Sequence, residues 1–199
     1  MIRMIAHQTL TAAQLEPYET YSECTIAATS LPGKVSDVTL DNCTLTGIWS
    51  QSEWLDCTFQ NLNLANQDWN QAVLYRCHFQ GCNLLGTNFS NGVWKTVRLT
   101  DCRADYANWS GAQLTACAAQ TTSLREAYFR DVTFKRGFVA TQCDLDQASF
   151  WESPLAGVDL AASTFEQLEV TPEAKYLRGL VLNAFQAATV LSLFGVRLK

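Results

Sequence analysis

The stretch CHFQGCNLLGTNF, residues 77–89, spaces Cys77, Cys82 and Thr87 five apart, and Phe79, Leu84 and Phe89 follow two positions behind at the same interval. An amphipathic helix repeats near 3.6 residues and a strand repeats at 2, so neither explains a period of five. From Ser52 to Thr141 the chain divides into eighteen consecutive five-residue units, and the third residue of every unit is apolar, from Trp54, Phe59 and Leu64 through to Phe129, Phe134 and Val139. The first residue is mostly small, as at Cys57, Ala72, Gly92, Ala107 and Thr122, with Leu62 and Gln67 the clear misfits. After a one-residue slip near Thr141 the pattern resumes through Leu145, Phe150, Leu155, Leu160, Phe165 and Val170; upstream it continues as Leu40 and Leu45 and slips near Trp49. Repetition on this scale implies stacked units with a shared core, since no unit can bury its apolar centre alone.

The same register places the cysteines. Cys24, Cys43, Cys57, Cys77, Cys82, Cys102, Cys117 and Cys143 each lie two residues before an apolar centre. All eight therefore fall in the small inward slot, where cysteine acts as a compact hydrophobe.

The pattern of a small residue, a polar one, Leu or Phe, then two polar ones resembles the pentapeptide-repeat family. The units CNLLG (82–86), ADYANW (104–109) and AGVDLAAS (156–163) carry it well, and the resemblance covers roughly residues 24–172. It implies an all-β solenoid, a right-handed quadrilateral β-helix with four units per coil. Coils would then stack at about 4.8 Å, and residues twenty apart would form vertical ladders such as Trp69, Phe89, Trp109, Phe129. The expected organisation is an N-terminal segment with a first irregular coil (1–37), the repeat helix (38–172) and a C-terminal cap (173–199). The one candidate loop is LPGKVSD, residues 31–37.

The repeat ends at VTPEAKYLRGLVLNAFQAATVLSLFGVRLK. Asn183 and Gln186 make a plausible helix-capping pair and Gly195 a natural stop, which predicts a helix over 184–194 and a short strand from Val196. That helix is apolar nearly all round, and an apolar face left over after covering the last coil calls for a second partner. The ending resembles the Qnr and MfpA subfamily, in which a C-terminal helix and strand form a head-to-head dimer. This implies a homodimer interface at Leu180, Leu182, Phe185, Leu191, Leu193, Phe194 and Val196. The run TDCRADYANW (100–109) also looks like that of chromosomal Qnr-like proteins of Gram-positive bacteria. Such proteins protect DNA gyrase and topoisomerase IV from quinolones and mimic bent duplex DNA, so the resemblance implies a type II topoisomerase as partner.

Charge qualifies this picture. The net charge is −5, which argues against non-specific nucleic-acid binding through a basic surface, and no nucleic-acid partner is expected. Residues 1–75 hold eight acids and two bases, residues 76–136 four acids and eight bases, and residues 137–173 seven acids and no base. A head-to-head dimer would bring two copies of the last segment together, which makes Asp144, Asp146, Glu152, Asp159, Glu166 and Glu169 the candidate contact surface for a cationic saddle.

Catalytic chemistry has little to stand on. His78 sits between two inward positions and so points outward, away from Cys77. Cysteines twenty apart would stack with side chains parallel, which disfavours disulfides. CxxC spacing is absent and no glycine-rich phosphate loop occurs. No enzyme activity, cofactor or metal is expected. The start, MIRMIAHQTLTAAQLEPYET, lacks the features of a signal peptide and the most apolar segment, 180–196, is too polar to span a bilayer, so a cytoplasmic protein with no membrane partner is expected.

Overall fold

A computed structural model describes residues 3–28 and 33–196. Each five-residue unit forms one side of a square coil. Three or four extended residues turn the central side chain inward, and the fifth turns the corner in the left-handed conformation: φ is 55° at Asp56, 56° at Asn61, 59° at Asn66 and 59° at Gln71. Four such corners close a circuit, which is why the period is five and the rung-to-rung register is twenty. Neighbouring coils pair in parallel. Leu74 lies opposite both Trp54 and Trp94 on the first side, and Phe79 lies opposite both Phe59 and Leu99 on the second. The third and fourth sides are held by bridges such as Asn63 to Asn83 and Asp68 to Asn88.

The coil begins earlier than the repeat pattern suggests. Strands Met4–Ala6 and Thr9–Thr11 already pair with Thr20–Ser22 and Thr25–Ala27. Of the candidate loop 31–37, Lys34–Ser36 is a strand paired with Glu53–Leu55, while residues 31–32 lie outside the described residues.

The bore is filled by ladders of centres. Trp49 stacks on Trp69 at 6.0 Å, Phe89 on Trp109 at 5.4 Å, Trp109 on Phe129 at 4.9 Å and Phe129 on Phe150 at 4.9 Å. The expected aromatic column is present and continues one rung further at each end. The misfit Gln67 has a reason. Its Oε1 accepts a hydrogen bond from the indole N–H of Trp69 at 3.2 Å, just as Ser52 Oγ accepts from Trp54 at 2.9 Å. Where the slot two residues ahead of a tryptophan holds Gly47, Gly92 or Ala107, the buried indole N–H of Trp49, Trp94 or Trp109 has no partner.

One feature of the repeat is corrected. The slip expected near Thr141 lies at Arg136–Gly137, because Thr115 faces Lys135 whereas Cys117 faces Phe138. Val139 is consequently 44% exposed, Ala140 takes the inward position and Phe138 is buried. Burying phenylalanine in place of valine removes more apolar surface from water. Gly137 accommodates the extra residue at φ +85°, where an added Cβ would meet the Gly157 carbonyl at 3.0 Å.

Two stability outcomes follow from this core. Phe89→Ala, at a fully buried stacked position, is expected to lower unfolding free energy by about 3–5 kcal/mol in denaturant titration. Ala107→Ser gives the Trp109 indole the acceptor that Ser52 gives Trp54, and is expected to raise the unfolding free energy by about 1 kcal/mol, read as a higher denaturant midpoint.

Candidate interaction surfaces

The thiols are sealed inside. All eight cysteines are free and buried, and their S–H groups point at main-chain carbonyls, as in Cys82 to Phe59 at 3.3 Å and Cys77 to Trp54 at 3.4 Å. Burial pushes the thiols of Cys43 and Cys117 up to about 11. The stacked neighbour Cys57, together with burial, raises Cys77 as well. The same contact lowers Cys57, and Cys82 lowers Cys102 in the same way, but a thiol sealed from solvent cannot reach a substrate. His78 lies on the outer surface beside Thr100, with Nε2 2.9 Å from Oγ1, and burial lowers its imidazole pKa. Among the described residues no three His, Cys, Asp or Glu side chains are placed to hold a metal ion. What the molecule offers is its exterior and its ends.

The six candidate carboxylates fall into two groups. Arg125 bridges Asp144 at 2.9 Å and Asp146 at 3.0 Å, and Arg130 reaches Glu169 at 2.8 Å. Asp146 is itself buried, and its Oδ1 accepts the backbone N–H groups of Glu166 at 3.0 Å and Gln167 at 2.9 Å, which pins one coil to the next. The Gln167 N–H, outweighing the cost of burial, and then that of Glu166 hold its carboxyl below the usual carboxylate range. Asp159 is half-buried and its Oδ1 accepts the Ala161 N–H at 3.0 Å. Glu152 and Glu166 are exposed and form no ion pair among the described residues. Counting charge along the chain misses these pairs. Arg125 lies one coil from its acids, 19 and 21 residues later, and Arg130 reaches across two coils to an acid 39 residues later, so the partners are found by counting in coil lengths.

The C-terminal end has an apolar exterior. Residues 180–182 continue the last rung on the second side: the N–H of Val181 donates to Val158 at 2.9 Å and that of Leu160 to Val181 at 3.0 Å. Leu180 and Leu182 pack against the chain's own core. A short helix, α1 (Ala174–Leu177), precedes them, and α2 (Ala184–Leu193) follows. The capping pair is present: Asn183 Oδ1 accepts from the Phe185 and Gln186 N–H groups, and Gln186 Oε1 accepts from the Asn183 N–H. Gln186 has a second task that its capping motif does not reveal. Its Nε2 donates to the carbonyls of Leu160 at 2.8 Å and Ser163 at 2.7 Å, so a polar side chain plugs the open end of the coil. Gln186 and Val190 are the buried residues of α2. Phe185 is 88% exposed, and Val181, Leu191, Leu193, Phe194 and Val196 are exposed as well. Trp151, missed in the repeat pattern, is also exposed and flanks a groove of about 590 Å³ between the last coil and Thr189, Ser192 and Leu193 of α2. Of the strand expected from Val196, Val196 itself is described and belongs to no strand, and 197–199 lie outside the described residues.

A square coil of five-residue sides with a filled bore defines the class of fold, a pentapeptide-repeat β-helix, and residues 52–137 match the family model for the pentapeptide repeat region. Among solved structures, trypsin-treated QnrB1, a plasmid-mediated fluoroquinolone resistance protein, is similar over all of both chains at 17% identity and TM-score 0.46. A pentapeptide repeat protein from the Arabidopsis thaliana thylakoid lumen is 20% identical, covering 76% of this chain and 89% of that one, at TM-score 0.38. HetL, involved in heterocyst differentiation regulation in the cyanobacterium Nostoc, is 15% identical over 92% of this chain and 85% of that one, at TM-score 0.37. No curated protein matches the chain in sequence. No helix among the described residues is long and apolar enough to cross a membrane.

The role of Asp146 is testable. Asp146→Ala strands two backbone donors and is expected to cost about 1–3 kcal/mol in thermal or chemical unfolding at neutral pH. Because the native carboxyl titrates below its unfolded value, its contribution is fully present above about pH 4 and is lost as pH falls through the native value. The stability gap between wild type and variant should therefore narrow on acidification below pH 4.

Proposed function

We propose that this is a non-catalytic binding protein that pairs through its C-terminal end and occupies the DNA saddle of a type II topoisomerase, DNA gyrase or topoisomerase IV, as the Qnr resemblance implies. The observation that carries the reading is the apolar end around α2. Phe185, Leu191 and Leu193 of α2, with Phe194 and Val196 just beyond it, are exposed, while the polar Gln186 is turned inward beside Val190. That inversion of the usual helix arrangement leaves an apolar patch for a partner. A two-fold pairing there sets Glu152, Asp159 and Glu166 of both copies near the centre of a long rod, where a cationic saddle would meet them. Leu180 and Leu182, packed on their own core, support the end from within. Asp144, Asp146 and Glu169 are engaged by Arg125 and Arg130 and contribute less free charge than a count of acids implies. Protection of the enzyme from quinolones would follow from competition for that saddle. A second reading, a scaffold for an unrelated partner, shares the same apolar end and differs in what the rod's sides recognise.

For the pairing, Phe185→Asp is expected to shift sedimentation from dimer to monomer with little change in unfolding, since Phe185 makes almost no contact with its own chain; a persistent dimer would refute this interface. In gyrase supercoiling assays with a fluoroquinolone, the protein is expected to restore supercoiling. Changing Glu152, Asp159 and Glu166 together to Gln or Asn should weaken this about tenfold, or ~1.4 kcal/mol. If no concentration of wild type restores supercoiling and no complex forms, the topoisomerase reading is lost and the scaffold reading stands.

A further inference from the structure

The corner between the first and second sides carries a row of cations. Arg76, Lys95, Arg98, Lys135 and Arg136 are all exposed there. They occupy three of four successive rungs, the rung at 113–120 carrying no cation, and extend over about 14 Å at the usual strand spacing. Only Arg76 of the five has a carboxylate partner among the described residues, Asp56. The acids nearest in sequence, Asp101 and Asp131, sit at the next corners on either side, as their left-handed φ values of 53° and 52° mark. The middle of the chain is thus basic on one edge only, because Arg103, Arg125 and Arg130 on the other two sides are paired with Asp105, Asp144, Asp146 and Glu169. A net charge of −5 conceals this edge.

Two neutral groups register its field. The Tyr75 ring lies 4.1 Å from the Arg76 guanidinium and 4.7 Å from the Lys95 ammonium. The hydrogen bond and charge of Lys95 lower its phenol pKa. His78, one rung from Arg98, is lowered by burial and then by the Arg98 charge.

We propose that this corner is a docking edge for the phosphate backbone of duplex DNA, separate from the acidic C-terminal region. Exposed ion pairs with an ordinary acidic protein surface contribute little each. A polyanion that carries condensed counterions gains from releasing them onto a fixed row of unpaired cations. Single strands are less suited, because they need free aromatic faces for bases, and Tyr75, the aromatic on this edge, is already covered by two cations. An edge of about 14 Å can follow a short arc of one phosphate strand, and it presents no side chains inserted for base reading, so binding should be independent of sequence.

The test is fluorescence anisotropy with a labelled duplex of about two helical turns, at a series of salt concentrations. Wild type is expected to bind with log K falling against log salt at a slope of about −4, from four to five phosphates at ~0.9 each. Lys95→Glu, Arg98→Glu, Lys135→Glu and Arg136→Glu combined should abolish binding, and the milder pair Lys95→Ala with Lys135→Ala should cut the slope by roughly 2. The second variant keeps the test decisive if the first fails to fold. Changing Glu152 and Glu166 to Gln should leave DNA binding intact, so loss of topoisomerase protection and loss of DNA binding are separable. No binding by wild type at low salt, an unchanged slope in the alanine pair, tighter binding of the matching single strand, or capture of poly-glutamate in preference to the duplex would each overturn the proposal.

Discussion

The left-handed fifth residue is the constraint on which the rest of the molecule depends. Placing one residue in five at φ near +55° turns the chain through a corner each time, and four corners return it above its starting point. Backbone pairing, the twenty-residue ladders and the bore all follow from that geometry. Residues other than glycine occupy most of these corners, including Thr96 and Thr121, whose branched side chains are poorly suited to positive φ. Each corner costs free energy, and the parallel pairing and apolar stacking on both sides of it offset that cost. Stability is therefore cooperative along the stack: a coil is tolerable only between neighbours, and the last one needs a lid.

The lid illustrates how polar chemistry is used inside an apolar design. A coil that ends exposes main-chain carbonyls that the next rung would have satisfied. Gln186 supplies the missing donors to Leu160 and Ser163 while its other end closes the cap of its own helix. Gln67 and Ser52 do the same on a smaller scale for the indoles of Trp69 and Trp54. Positions that look like errors in the repeat are thus answers to hydrogen-bonding needs created by the repeat's own large centres.

Fold and core were legible in the sequence because inward positions are chosen by size and hydrophobicity, and the register makes those choices periodic. Trp69, Phe89, Trp109 and the eight cysteines could be placed before any coordinate was known. The slip at Arg136–Gly137 was harder, since Phe134, Phe138, Val139 and Ala140 offer two acceptable registers locally, and the neighbouring coil decides between them. Charge was the least legible. Acids and bases one or two coil lengths apart lie far from each other in the chain and in contact in the coil, so the run of acids from Asp144 to Glu169 reads as free in the sequence although Arg125 and Arg130 lie beside it.

That pairing changes what recognition by such a rod can mean. A uniform anionic surface would attract any cationic partner along its whole length. Here the free charge is sorted: most carboxylates without an ion pair among the described residues lie on the N-terminal coils and beside the apolar end, and unpaired cations gather along one corner of the middle coils. Since the inner ladder fixes every backbone position, outward slots can change without disturbing the core, and the two regions can be tuned independently. A partner that reads this molecule reads the arrangement of a few outward side chains on a frame that does not move to meet it, which favours specificity through position over affinity through bulk charge.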